Sequence, residues 1–107
     1  MADITKGNID QVSELIIQDL NLESEKSIVE IKHLDELKEK LEKIVAYLLD
    51  NDFERLLNAM YRLDISEEKF KMALSGLSGN SISIDITELI IDREVKKLKT
   101  RAKYSRS

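Results

Sequence analysis

The strongest constraint on the fold is a run of apolar residues spaced alternately three and four apart. The run comprises Leu34, Leu37, Leu41, Ile44 and Leu48. This spacing places all five side chains on one side of an α-helix, so it predicts an amphipathic helix over residues 33–50. The stripe covers only about two heptads, fewer than the three or four that a coiled coil needs. We therefore expect this helix to pack within a bundle.

Few residues in the chain would interrupt a helix. Proline is absent, and only three glycines occur, at positions 7, 76 and 79. Helical spacing of apolar residues predicts four further helices, at residues 8–20, 52–63, 66–75 and 84–103. The expected capping residues are Asn8, Asn51 or Asp52, Asp64 or Ser66, Gly76 and Asp85. We therefore predict an all-α fold, a single domain built as a small irregular bundle of four or five helices.

These predictions divide the chain into three parts. Residues 1–30 are expected to form an N-terminal segment with one helix, partly flexible, residues 31–103 the helical core, and residues 104–107 a disordered tail. One stretch stays open. The β-branched residues at positions 28–31 either make a short extended piece or begin the next helix.

No pattern in the sequence indicates a catalytic site, a metal site or a cofactor. His33 is the only histidine, and there is no cysteine, so a di-iron bundle and thiolate metal sites are excluded. No stretch matches a calcium-binding loop or a phosphate-binding P-loop. The chain also lacks an apolar run long enough for a bilayer and an N-terminal signal pattern. We expect a non-enzymatic protein without membrane contact, and the lack of cysteine fits a reducing cytoplasm.

The last predicted helix has apolar residues on two sides. Helical spacing puts one set, Ile84, Ile91, Val95, Leu98 and Ala102, on a common face. A second set, Ile86, Leu89 and Ile90, falls on the opposite side. Such a helix start must be buried from two directions. Either a partner subunit covers the second set, which makes it a candidate interface, or the N-terminal helix wraps over it.

A further candidate interface lies on the third predicted helix. Arg55 and Arg62 are seven residues apart, opposite the apolar face, with Tyr61 at its edge. Arginine and tyrosine are favoured at protein interfaces. The alternative is a solubilising outer face. The joint that follows resembles a helix-turn-helix, but Glu67 and Glu68 at the start of its second helix would face DNA phosphates, so helix packing explains it better.

The C-terminal end of the chain is strongly basic, although the formal net charge is −4. Residues 96–107 contain six lysines or arginines and no acidic residue. The candidate nucleic-acid contacts are Lys96, Lys97, Lys99, Arg101, Lys103, Tyr104 and Arg106. Complementation of the helix dipole accounts for two or three of these cations but not for six. A third interpretation is that the tail docks on the acidic first half of a partner subunit.

Three segments of the sequence carry a resemblance. They are "DFERLL", "YRLDISEEK" and "LIIDRE", the last leading into a basic helix end, and the similarity spans residues 41–103. In this combination the chain resembles a group of short, uncharacterised (hypothetical) bacterial helical proteins. The resemblance implies a compact helical fold in a bacterial protein, and it implies no activity, ligand or catalytic residue.

Two function classes follow from the sequence. The first is a small helical interaction module that acts through its helix faces, as a homodimer or with a protein partner. The alternative is an accessory protein associated with nucleic acid or the ribosome through the basic C-terminal helix end.

Overall fold

The computed structural model describes residues 6–20 and 33–104, with side chains for Ile9, residues 11–20 and residues 33–100. The described residues form five helices and no strand. They are α1 (Lys6–Asp19), α2 (Leu34–Asn51), α3 (Phe53–Leu63), α4 (Glu67–Ser75) and α5 (Ile82–Tyr104). The prediction of an all-α, single-domain bundle is confirmed. The open question at residues 28–31 and the expectations for residues 1–5 and 105–107 lie outside the described residues.

Helix α5 is the centre of the bundle, because each of the other four helices packs against it. Two of its hydrogen bonds join it to α2 and α3. The Ser83 hydroxyl donates to the Glu42 carboxylate of α2 at 2.5 Å, and Arg93 Nε donates to the Leu63 carbonyl at the end of α3 at 2.6 Å. The second bond satisfies a carbonyl that a helix C-terminus leaves without an intrahelical partner.

Helix ends agree with the predicted capping residues at three places. Asp52 accepts a hydrogen bond from the Arg55 N–H, and Ser66 accepts one from the Lys69 N–H. Gly76 ends α4 in the left-handed conformation at φ 72°. A left-handed residue is the usual end of a helix, and glycine adopts it without a steric penalty.

Three predicted caps are wrong. Asn8 lies inside α1, which begins at Lys6. Asp64 does not start α4 but ends α3, in the left-handed conformation at φ 57°. Asp85 lies in the first turn of α5 because that helix begins earlier, where Ser81 accepts a hydrogen bond from the Ile84 N–H.

The two apolar sides of α5 differ from the sequence expectation. Ile86 and Ile90 are fully buried within the single chain, whereas Ile84, expected on the main core face, is 42% exposed. Both α1 and α2 pack on α5, so the chain itself buries Ile86 and Ile90. Ile86 and Ile90 therefore offer no surface to a partner, and the candidate interface loses these two residues.

None of the helices within residues 6–20 and 33–104 has the combination of length and apolar composition that a membrane crossing needs.

Candidate functional site

An open groove between α4 and α5 exposes large apolar side chains. Its volume is about 590 Å³. Met72 is 64% exposed and Leu77 is 79% exposed, and both line it. Leu89 and Ala73 complete the apolar lining from α5 and α4. Clustered exposure of large apolar residues marks an interaction surface more often than scattered exposure does.

The rim of the groove is acidic. Four carboxylates lie around it, Glu68 from α4 and Asp85, Glu88 and Asp92 from α5, and Lys69 is the one cation among the described lining residues. The Ser78 hydroxyl donates to the Asp85 carboxylate at 2.5 Å, which fixes that side chain at the loop end of the groove. Glu68, Glu88 and Asp92 are exposed. The groove therefore combines an apolar floor with a negative edge.

This arrangement suits one type of ligand in particular. Lysine and arginine place a long apolar stem on an apolar surface and keep the charged head in water or beside a carboxylate. A helix that carries several such side chains matches both the floor and the rim of the groove. Among the described residues there is no cluster of three or more side chains that could hold a metal ion.

A second feature is a buried carboxylate beneath α1. Glu94 of α5 is fully buried, and neither of its carboxylate oxygens has a hydrogen-bond partner among the described residues. Lys97 Nζ lies 3.6 Å from Glu94 Oε1 and 2.8 Å from Asp19 Oδ2 of α1. Burial, and next the neighbouring Asp19, raises the pKa of Glu94 from 4.5 to about 8, although Lys97 opposes the shift.

A carboxyl with a raised pKa is a common mark of a catalytic site. Here Glu94 has no exposed surface and does not line the groove between α4 and α5, so a substrate in that groove has no access to it. Its neighbours instead join α1 to the rest of the bundle. Arg62 Nη1 of α3 donates to the Asp19 carbonyl at 3.4 Å, so Asp19 is held from both α3 and α5.

The predicted arginine and tyrosine surface of α3 is present but only partly free. Arg55 and Arg62 line a smaller hollow of about 260 Å³ between α1 and α3. Arg55 Nε lies 3.8 Å from the Asp52 carboxylate, and Arg62 contacts α1 as described above. Tyr61 is 62% exposed and is absent from the lining of that hollow. The structure thus does not bring the three residues into one site.

The predicted basic C-terminal residues fall into four groups. Lys96 and Lys99 are exposed on α5, and Lys97 is paired with Asp19. Arg101, Lys103 and Tyr104 belong to the helical backbone of α5, which ends at Tyr104, but their side chains lie outside those described. Arg106 lies outside the described residues altogether.

Sequence reasoning missed most of the groove. Of its residues only Leu89 was a candidate interface residue, and the structure places it partly buried against the core at the edge of the groove. The available signal was the spacing of the acidic residues. Glu68 and Met72 are four apart, and Asp85, Glu88 and Asp92 are three and four apart, so each set shares a helix side. Only the packing of α4 on α5 shows that the two sets face a common groove.

Comparisons with family models, with curated proteins and with solved structures found no match to this chain.

Proposed function

We propose that the protein is a non-enzymatic interaction module whose groove between α4 and α5 binds a basic helical segment of a protein partner. The observation that carries the proposal is the pairing of exposed apolar side chains, Met72 and Leu77, with four carboxylates around one groove. As part of the same proposal the module acts in the cytoplasm, and the partner is either a second copy or another protein.

Met72 and Leu77 expose apolar surface to water, which is unfavourable in free energy. Removing apolar surface from water gains roughly 25 cal/mol per Å², so the exposed floor favours association. The rim selects the charge of the partner, because like charges placed together disfavour binding. A helix is the expected shape, since a groove between two helices accepts the apolar face of a third.

The alternative, contact with nucleic acid through the basic helix end, meets an electrostatic objection. Lys96 and Lys99 share one side of α5 with Asp85, Glu88 and Asp92, so a polyanion laid along that side meets the carboxylates as well. Binding of labelled single-stranded RNA that falls steeply between about 50 and about 200 mM salt, and that is lost on reversing Lys96 and Lys99, would establish the alternative.

The direct test is binding of a labelled helical peptide of leucine and lysine, compared with a peptide in which glutamate replaces lysine. We expect fluorescence anisotropy to show binding of the lysine peptide only. Leu77→Lys, which removes apolar surface and adds a repelling charge, should weaken that binding about tenfold or more.

Tyr61→Lys is the matched control, because Tyr61 is as exposed as Met72 but lies on α3. It adds the same charge as Leu77→Lys, so its binding should stay within about twofold of that of the unaltered chain. Equal weakening by both variants, or equal binding of both peptides, would contradict the proposal.

A further inference from the structure

The exposed side of α5 carries opposite charges in its two halves. Asp85, Glu88 and Asp92 in the first half, and Lys96 and Lys99 in the second, fall within an arc of about 80° at 100° per residue. The residue after the next turn, position 103, is also a lysine in the sequence. The stripe is therefore acidic beside the groove and basic beyond it.

The two halves are arranged symmetrically about position 94. Asp92 lies two residues before this position and Lys96 two residues after it. Asp85 and Lys103 each lie nine residues away, and Glu88 and Lys99 lie six and five residues away. Turning α5 end for end about this position therefore exchanges acidic positions for basic ones to within one residue.

From this register we infer that the groove is occupied by the basic half of α5 from a second copy of the chain, in an antiparallel, two-fold symmetric dimer. The inference rests on the proposed function, because it names the partner for the same groove. A two-fold interface uses the same surface on both subunits, which requires a self-complementary stripe. A parallel pairing is excluded, because it would place acid against acid and lysine against lysine.

The groove also presents apolar surface to the second copy. Beside the acidic half of α5 lie Met72, Leu77 and Leu89, which a neighbouring helix would cover. In the antiparallel register Lys99 of the partner subunit faces Glu88 and Leu89, so its stem meets the apolar floor while its ammonium meets the rim. The contact occurs twice, once in each groove of the dimer.

Self-complementarity allows a test by charge exchange. Lys96→Glu with Lys99→Glu makes the stripe acidic throughout, and Glu88→Lys with Asp92→Lys makes it basic at the same register. Each variant alone places like charges together in both contacts of a homodimer. A mixture of the two restores opposite charges in both contacts. All four positions are exposed, so the substitutions leave the core unchanged.

We expect sedimentation equilibrium to give twice the chain mass of 12.3 kDa for the unaltered protein, the monomer mass for each variant alone, and twice that mass for the mixture. Circular dichroism of each variant confirms that it is folded. Dissociation of the unaltered dimer should increase between about 50 and about 500 mM salt, since exposed charges are screened.

The outcomes separate this inference from the function on which it rests. An unaltered chain that stays monomeric but binds the leucine–lysine peptide overturns the self-pairing and leaves the groove as the site for another protein. A monomer that binds neither the lysine peptide nor the glutamate peptide overturns both the dimer and the proposed function. A dimer that persists in both variants places the interface elsewhere, and a mixture that stays monomeric overturns the antiparallel register.

Discussion

At the scale of single residues, Glu94 is the side chain whose behaviour the surroundings alter most. It is fully buried beside Asp19, and its pKa of about 8 lies far above the ordinary 4.5. Lys97 is the cation next to it, but the shorter contact of Lys97 is with Asp19. The folded protein therefore holds the Glu94 proton at neutral pH, whereas the unfolded chain releases it.

This difference predicts a stability that falls as the pH rises. Between about 4.5 and about 8 the folded state binds one more proton than the unfolded state, so the free energy of unfolding decreases with pH. The contribution is fully present below 4.5 and is lost above about 8, and its size is on the order of 3–5 kcal/mol. Urea unfolding followed by circular dichroism across this range measures it.

Glu94→Gln removes the titrating group and keeps its shape. We expect this variant to match the unaltered chain in stability near pH 4.5 and to exceed it increasingly toward pH 8. The control is Glu14→Gln, an exposed position on α1, in which Glu94 remains and the fall in stability toward pH 8 should persist. An unchanged slope in Glu94→Gln would show that this carboxyl does not hold the proton.

At the scale of helices, the sequence predicts the elements well and their faces less well. Helix α2 agrees with prediction to within one residue at each end, because its apolar stripe is regular. Helix α5 was predicted from Ile84 and begins at Ile82, since Ser81 provides the first cap and not Asp85. Its two-sided apolar pattern did not reveal that the chain itself buries Ile90 on one side and Ile91 on the other.

A substitution of Ile90 tests whether this side of α5 is buried within the single chain. It is fully buried, so Ile90→Ala should lower the free energy of unfolding by about 2–5 kcal/mol. Ile84→Ala, on the same helix at 42% exposure, is the matched control and should cost less than about 1 kcal/mol. The free energy of unfolding is measured in urea on the monomer. If both variants lose the same small amount, Ile90 is exposed and is again a candidate interface residue.

At the scale of the whole molecule, the features that matter for function arise from contacts between distant parts of the sequence. The buried cluster joins Asp19 to Glu94 and Lys97, more than seventy residues later, so no local pattern indicates it. The groove needs α4 packed on α5, which places Glu68 and Met72 opposite Asp85 and Leu89. Helical periodicity establishes each face alone, but not which faces meet.

The structure changes the interpretation of the basic C-terminal end of α5. Its six cations suggested nucleic acid when considered alone. In the structure the exposed lysines continue an acidic stripe along one helix, and Lys97 is engaged with Asp19. The lysines that suggested a polyanion as partner therefore also suit a protein surface of mixed charge. The acidic half of the stripe on α5 lies beside the groove.

A map of amide chemical shifts in the isotope-labelled chain, recorded on addition of the leucine–lysine peptide, would show directly whether the groove between α4 and α5 binds a basic helix. The chain should carry Lys96→Glu and Lys99→Glu, so that no second copy occupies the groove. We predict that the shifts concentrate around the groove, in residues 68–78 and 85–92, and that the surface around Tyr61 on α3 is unaffected. Shifts centred on α3, or none at saturating peptide, would contradict the account.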